Sequence, residues 1–97
     1  MIQHVVLLTF LPEATEEQRA AVAEGLRALP ALIPEIKRYA VGSDLGLAAD
    51  TSSFGIVAEF ETVADYEVYR DHPAHRQVIT DRIGPIRAGR AAIQFER

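Results

Sequence analysis

The chain contains no cysteine, no tryptophan and a single methionine. Without thiols it forms no disulfide, offers no thiolate nucleophile and builds no sulfur-ligated zinc site, so its composition leaves the redox compartment open. Cations are also scarce. Ten Lys and Arg stand against fourteen Asp and Glu, for a net charge of −4 and a pI near 5.3. No segment gathers the basic residues into a footprint for phosphate backbones, which argues against a nucleic acid partner. No apolar run approaches the roughly 20 residues that span a bilayer. No basic stretch precedes an apolar one in the manner of an export signal, so no membrane partner is expected and the cytoplasm is the expected compartment.

What is present suffices for one folded domain over residues 1–97. Leu, Ile, Val and Phe supply 28 of the 97 residues, well above the level of about 20% below which chains tend to stay disordered. A chain this short buries only around 60–70% of its unfolded surface. Apolar surface left over by such a small core points to a partner subunit.

The element pattern is readable. His4 to Phe10 is rich in β-branched and aromatic residues and apolar on both faces, which predicts a strand covered on two sides. Thr15-Glu16-Glu17-Gln18 has the spacing of a capping box. Val22, Leu26, Leu29 and Ile33 then form one stripe of an amphipathic helix, broken at its far end by Pro30 and Pro34. Ile36 to Val41 and Phe54 to Glu61 predict two more strands, separated by a long polar loop. Thr62 caps a second helix that runs to about Asp71, and Pro73 starts another helical segment ended by Gly84-Pro85. Ala91, Ile93 and Phe95 mark the fourth strand. Strand, helix, strand, strand, helix, strand is an α+β, ferredoxin-like βαββαβ order, with two helices on one face of a four-stranded antiparallel sheet. The other sheet face has nothing in the chain to cover it. A homodimer joined through these faces, closing an α/β barrel, is the expected assembly.

Chemistry in this sequence rests on three histidines, because imidazole changes charge near neutral pH without help. His4 shares a strand face with Val6, Leu8 and Phe10. His72-Pro73-Ala74-His75 is the sharper feature: Pro73 holds His72 extended, and His75 lies one helical step from Val78 and Ile79. Tyr66 and Tyr69 precede it on the second helix, and a Tyr–His pair in a dry pocket can move a proton. The same residues admit a structural reading, with His72 as a helix cap and His75 as a satisfied core residue. Metal binding is not expected, because Pro73 spoils a same-face histidine pair and no zinc spacing is present. No cofactor is expected either: Gly42-Ser43-Asp44-Leu45-Gly46 lacks the strand-to-helix setting of a phosphate loop and reads as a turn. Ser52 and Ser53 have no adjacent base. Arg82, Arg87 and Arg90 could grip a carboxylate or phenolate, or form a solvated face.

Taken together, the His4-Val5-Val6-Leu7 opening, the Ile33-Pro34-Glu35-Ile36 corner, Val41-Gly42, Phe60-Glu61-Thr62 and the run Tyr69-Arg70-Asp71-His72-Pro73-Ala74-His75 resemble the stress-responsive dimeric A/B barrel (Dabb) family. The resemblance covers nearly the whole chain and implies the ferredoxin-like fold and a homodimer. Most members of that family have no established activity, and the first expectation is a stress-responsive domain with a small apolar pocket for a hydrophobic or aromatic molecule. A plant member is a cofactor-independent cyclase that folds a linear polyketide thioester by aldol condensation. By that resemblance His75 would be the general base, Tyr69 its hydrogen-bonding partner, and His4 a residue that positions substrate or stabilises an enolate. His72, Val6, Leu8, Tyr66, Val78 and Ile79 would surround the bound molecule. Phe54 stands where the cyclase has a further histidine. Related dimeric barrels also include cofactor-free monooxygenases.

Overall fold

The protein's structure, a computed structural model, describes residues 1–97. Its first strand, β1 (Ile2–Phe10), starts two residues ahead of His4 because Ile2 and Gln3 already find ladder partners on both sides. β1 pairs antiparallel with β3 (Phe54–Phe60) and with β4 (Arg87–Glu96), while β2 (Arg38–Ser43) flanks β3. The sheet order is therefore β2-β3-β1-β4, with every neighbouring pair antiparallel.

Two strand boundaries differ from the sequence expectation. The second strand begins at Arg38 rather than Ile36, because the Ile36 amide donates to the Ile33 carbonyl at 3.1 Å in a turn. The fourth begins at Arg87 rather than Ala91. Arg, Ala and Gly have little strand preference of their own, and it is the ladder along Leu8, Thr9 and Phe10 that recruits them. A bulge interrupts that ladder: Thr9 opposes Gly89, but Phe10 opposes Arg87, leaving Ala88 as the additional residue.

Helix α1 (Glu16–Arg27) carries the expected capping box. The Gln18 amide donates to Thr15 Oγ1 at 3.1 Å, and the Thr15 amide donates to Gln18 Oε1 at 2.9 Å. Thr15→Ala removes one of these and should cost about 1 kcal/mol, read as a lower urea midpoint at unchanged slope. The helical stripe does not run unbroken to Ile33. Pro30 has no N–H to continue the ladder, so α1 stops at Arg27 and a single turn, α2 (Leu29–Leu32), follows with Pro30 inside it. Helix α3 (Val63–Asp71) is capped by Thr62, and α4 (Pro73–Val78) leads through a π-helical turn at Ile79–Ile83 and a 3-10 turn at Gly84–Ile86 into β4.

Strand alternation sorts the two sheet faces. Val6, Leu8 and Phe10 from β1 and Phe54, Ile56 and Phe60 from β3 face the helices, where Val22, Leu26, Leu29 and Ile33 bury against them. The opposite face carries no helix. On it Leu7, Val57, Ile93 and Phe95 remain between 44% and 58% exposed. The architecture is the ferredoxin-like α+β fold read from the element order. No helix is long and apolar enough to cross a membrane.

Candidate functional site

Between the sheet and α3–α4 lies a partly open cavity of about 250 Å³. Its floor is apolar, with Val6, Leu8 and Ile56 from the sheet and Leu26, Ile79 and Ile83 from the helical layer. His4, Tyr66, Tyr69 and His75 supply the remaining inner wall.

His4 stands at the sheet end of the cavity because β1 directs it to the helix-facing side. Its register partners are Ala58, too small to crowd the ring, and Gln94. The Gln94 amide nitrogen lies 2.9 Å from His4 Nδ1. An amide NH2 only donates, so Nδ1 accepts and the proton of the neutral ring sits on Nε2. The ring packs against Tyr66 and Tyr69 at centroid distances of 5.0 and 5.9 Å. Burial is the main reason its pKa falls to about 4, with Arg90 and His75 adding to the effect.

Tyr66 and Tyr69 reach the same wall because residues three apart share a helix face. The Tyr69 hydroxyl does not meet His75. It lies 2.8 Å from the Tyr39 hydroxyl of β2, a partner that local sequence does not reveal, since Tyr39 sits on a strand whose phase shows only in the ladder. Burial pushes Tyr69 up to about 12 and raises Tyr39 further, so both stay protonated across the physiological range.

The His-Pro-x-His run does two separate jobs. Pro73 opens α4, and His72 before it is extended, at φ −62° and ψ 134°. His72 Nδ1 accepts from the Ala74 amide at 3.1 Å, which makes it the N-cap of α4. It does not line the cavity, and neither does Val78, which packs in the core against the α1–α2 side. Of the residues expected around a bound molecule, these two stand outside the cavity lining: the His72 ring caps α4, as its alternative reading has it, and helix phase turns Val78 away while Ile79 faces in. The break at His72 also leaves the Arg70 carbonyl without its intrahelical donor. His75 Nδ1 lies 3.1 Å from that oxygen and donates to it, so the lone pair of the neutral ring is on Nε2, which has no protein partner. The ring stacks on Tyr69 at 4.2 Å and 29°. Tyr69 and His75 are thus in contact through their ring faces and not through a hydroxyl hydrogen bond. Burial lowers the His75 pKa, opposed by the bond to the Arg70 carbonyl and reinforced by Arg76 and Arg90.

Both cavity histidines are therefore neutral at pH 7, one offering an acceptor nitrogen and the other a donor. The unfolded chain takes up a proton on His4 near pH 6.5, whereas the folded chain resists until about pH 4. This contribution is complete above pH 6.5 and is lost as pH falls toward 4. Between pH 7 and 5 the wild type should lose on the order of 1 kcal/mol more than His4→Gln, measured by urea unfolding at each pH.

Four arginines at the cavity wall complete the site: Arg70, Arg76, Arg87 and Arg90. Arg82, grouped with two of them in sequence, is instead structural, donating to the Ala21 carbonyl at 2.7 Å. Parity of the strands could have assigned Ile56, and four-residue spacing from Ile79 could have assigned Ile83. Arg87 and Arg90 are two of the three arginines that the sequence offers for gripping an anion, but the local sequence does not show which sheet face Arg87 takes. No group of three or more His, Asp or Glu side chains is arranged to hold a metal ion.

The sequence of residues 2–97 matches the Dabb family, described as Stress responsive A/B Barrel Domain. A dimeric ferredoxin-like protein of unknown function from Thermobifida fusca is 41% identical, with 99% of this chain and 90% of that one covered and a TM-score of 0.91. A dimeric protein of unknown function and ferredoxin-like fold from Bacteroides fragilis is 24% identical, covering 99% and 95% at a TM-score of 0.87. A hydroxynitrile lyase from Passiflora edulis shares the fold at 19% identity and a TM-score of 0.84, over 97% of this chain and 90% of that one. No curated protein matches. Fold, element order and sequence agree: the chain belongs to the stress-responsive A/B barrel (Dabb) family.

Proposed function

We propose that the domain works as a homodimer in which each subunit binds one small apolar or aromatic molecule between its sheet and helices. The observation that carries the binding role is the cavity of about 250 Å³ with an apolar floor and a wall of four rings. An apolar cavity of roughly 150 Å³ already holds benzene, so the space suits a substituted single ring. The dimer is supported by the uncovered apolar sheet face bearing Leu7, Val57, Ile93 and Phe95, and by similar proteins that are described as dimeric. With no tryptophan in the chain, emission comes from its three tyrosines, of which Tyr66 and Tyr69 stand in the cavity wall. Adding 4-methylbenzyl alcohol should change that emission saturably, and Ile79→Phe, which fills the cavity, should abolish the change. A response that survives Ile79→Phe contradicts the assignment.

A second reading, cofactor-independent proton transfer of the cyclase or lyase kind, is favoured by one feature. The Arg70 carbonyl fixes the His75 tautomer so that Nε2 is a free base, with His4 Nε2–H as a donor for developing negative charge on a substrate oxygen. His75 would take a proton from a carbon beside a carbonyl and later return it. A positioned base of this kind contributes about 10²–10⁴-fold. Deuterium uptake by the acidic methylene of a β-keto thioester in D2O should slow by that factor in His75→Ala. Equal rates in wild type and variant would remove His75 from the chemistry.

A further inference from the structure

We propose that the cavity is built for an anion: a small aromatic carboxylate, its ring inside and its carboxylate held at the mouth by Arg87 and Arg90. The inference rests on the cavity being a binding site and names the chemical class of its ligand.

Three observations lead there. The protein is acidic overall, with a net charge of −4, yet no Asp or Glu lines the cavity and four arginines do. Those four are not equivalent. Arg70 is engaged by both carboxylate oxygens of Asp71 at 2.9 Å and faces Glu67 at 3.9 Å. Arg76 on α4 and the pair Arg87 and Arg90 on β4 form no salt bridge and donate no side-chain hydrogen bond within the chain, and only the β4 pair stands together on one strand. Guanidinium groups left free beside an apolar recess are a fork-shaped receptor for a planar carboxylate.

The third observation is the β4 bulge. Residues three apart on a regular strand face opposite sides of the sheet. Arg90 opposes Leu8 and so faces the helices. Because Ala88 is the additional residue, Arg87 opposes Phe10 and faces the helices too. Bulges re-aim side chains in this way beside functional sites. Here the bulge brings two unpaired cations onto the cavity side that strand parity alone would have separated. The field of Arg90 reaches the ring wall as well, favouring the neutral form of His4 and His75.

The test compares 4-methylbenzoate with its neutral isostere 4-methylbenzamide by calorimetric titration of the full chain. Wild type should bind the carboxylate about tenfold more tightly, and the preference should shrink between 50 mM and 500 mM NaCl. In Arg87→Gln/Arg90→Gln, carboxylate affinity should fall to that of the amide. Both sites are on the surface, so folding of the double variant is checked simply by its thermal midpoint. Equal affinity of wild type for the two probes, or a preference that persists in the double variant, overturns the anion assignment and leaves the cavity as a binding site. Binding of neither probe overturns both.

Discussion

Val57→Asp should halve the solution mass of the protein, from a dimer to a single 10.7 kDa chain. Val57 sits on β3 in register with Val5 of β1 and Ala40 of β2, on the sheet face that no helix covers. In the isolated subunit the side chain is substantially exposed, so an aspartate there keeps its water and disturbs the fold little. Pressed against a second sheet it would lose that water without a cation directly opposite, since its cross-strand partners Val5 and Ala40 are aliphatic. Burying an unpaired carboxylate costs several kcal/mol, against the roughly 8 kcal/mol that separates a micromolar dimer from free subunits. Light scattering at micromolar concentration reads the change, and far-ultraviolet dichroism verifies that the sheet persists. Ile93→Lys, on β4 directly opposite Val5, should act alike. A dimer that tolerates both charges would place the interface elsewhere.

Tyr69→Ala should be the most damaging single change in the site. Tyr69 is the largest fully buried side chain. Its ring lies within 6 Å of those of His4, Tyr39, Phe60 and His75. Truncating such an aromatic costs about 3–5 kcal/mol, a large part of the 5–15 kcal/mol that holds a domain together. For a chain of this size that is a fall in Tm of about 15–30 °C. Tyr69→Phe keeps the ring stack and removes only the hydroxyl, leaving Tyr39 without its 2.8 Å partner. That should cost about 1–3 kcal/mol. The pair of variants separates packing from hydrogen bonding: a Tyr69→Phe as unstable as Tyr69→Ala would mean that the Tyr39–Tyr69 bond, and not the ring cluster, organises the wall.

The sequence made the frame of the molecule legible because frame signals are local. The Thr15 box, the Thr62 cap and the apolar runs at His4–Phe10 and Phe54–Phe60 each encode their element within a few residues. The site was legible in part for the same reason. His4, Val6 and Leu8 share strand parity, and Tyr66 and Tyr69 share a helix face. What escaped depends on long-range geometry. The 3.1 Å contact of His75 with the Arg70 carbonyl exists only because the chain breaks at His72 and folds back. The Tyr39–Tyr69 bond joins residues 30 apart. Arg87 faces the cavity through a bulge specified by pairing with β1, and nothing in Arg87-Ala88-Gly89-Arg90 announces it. His72 admits two readings beside Pro73, a helix cap or a cavity residue, and its ring is occupied by the Ala74 amide as a cap.

Whether a small aromatic molecule binds between His4 and His75 can be read from the nitrogen-edited NMR spectrum of the three histidine rings during titration with 4-methylbenzyl alcohol. His4 and His75 line the cavity, while His72 caps α4 outside it. The ring signals of His4 and His75 should move together and saturate while those of His72 stay in place. Equal movement of all three, or movement of His72 alone, would contradict binding there.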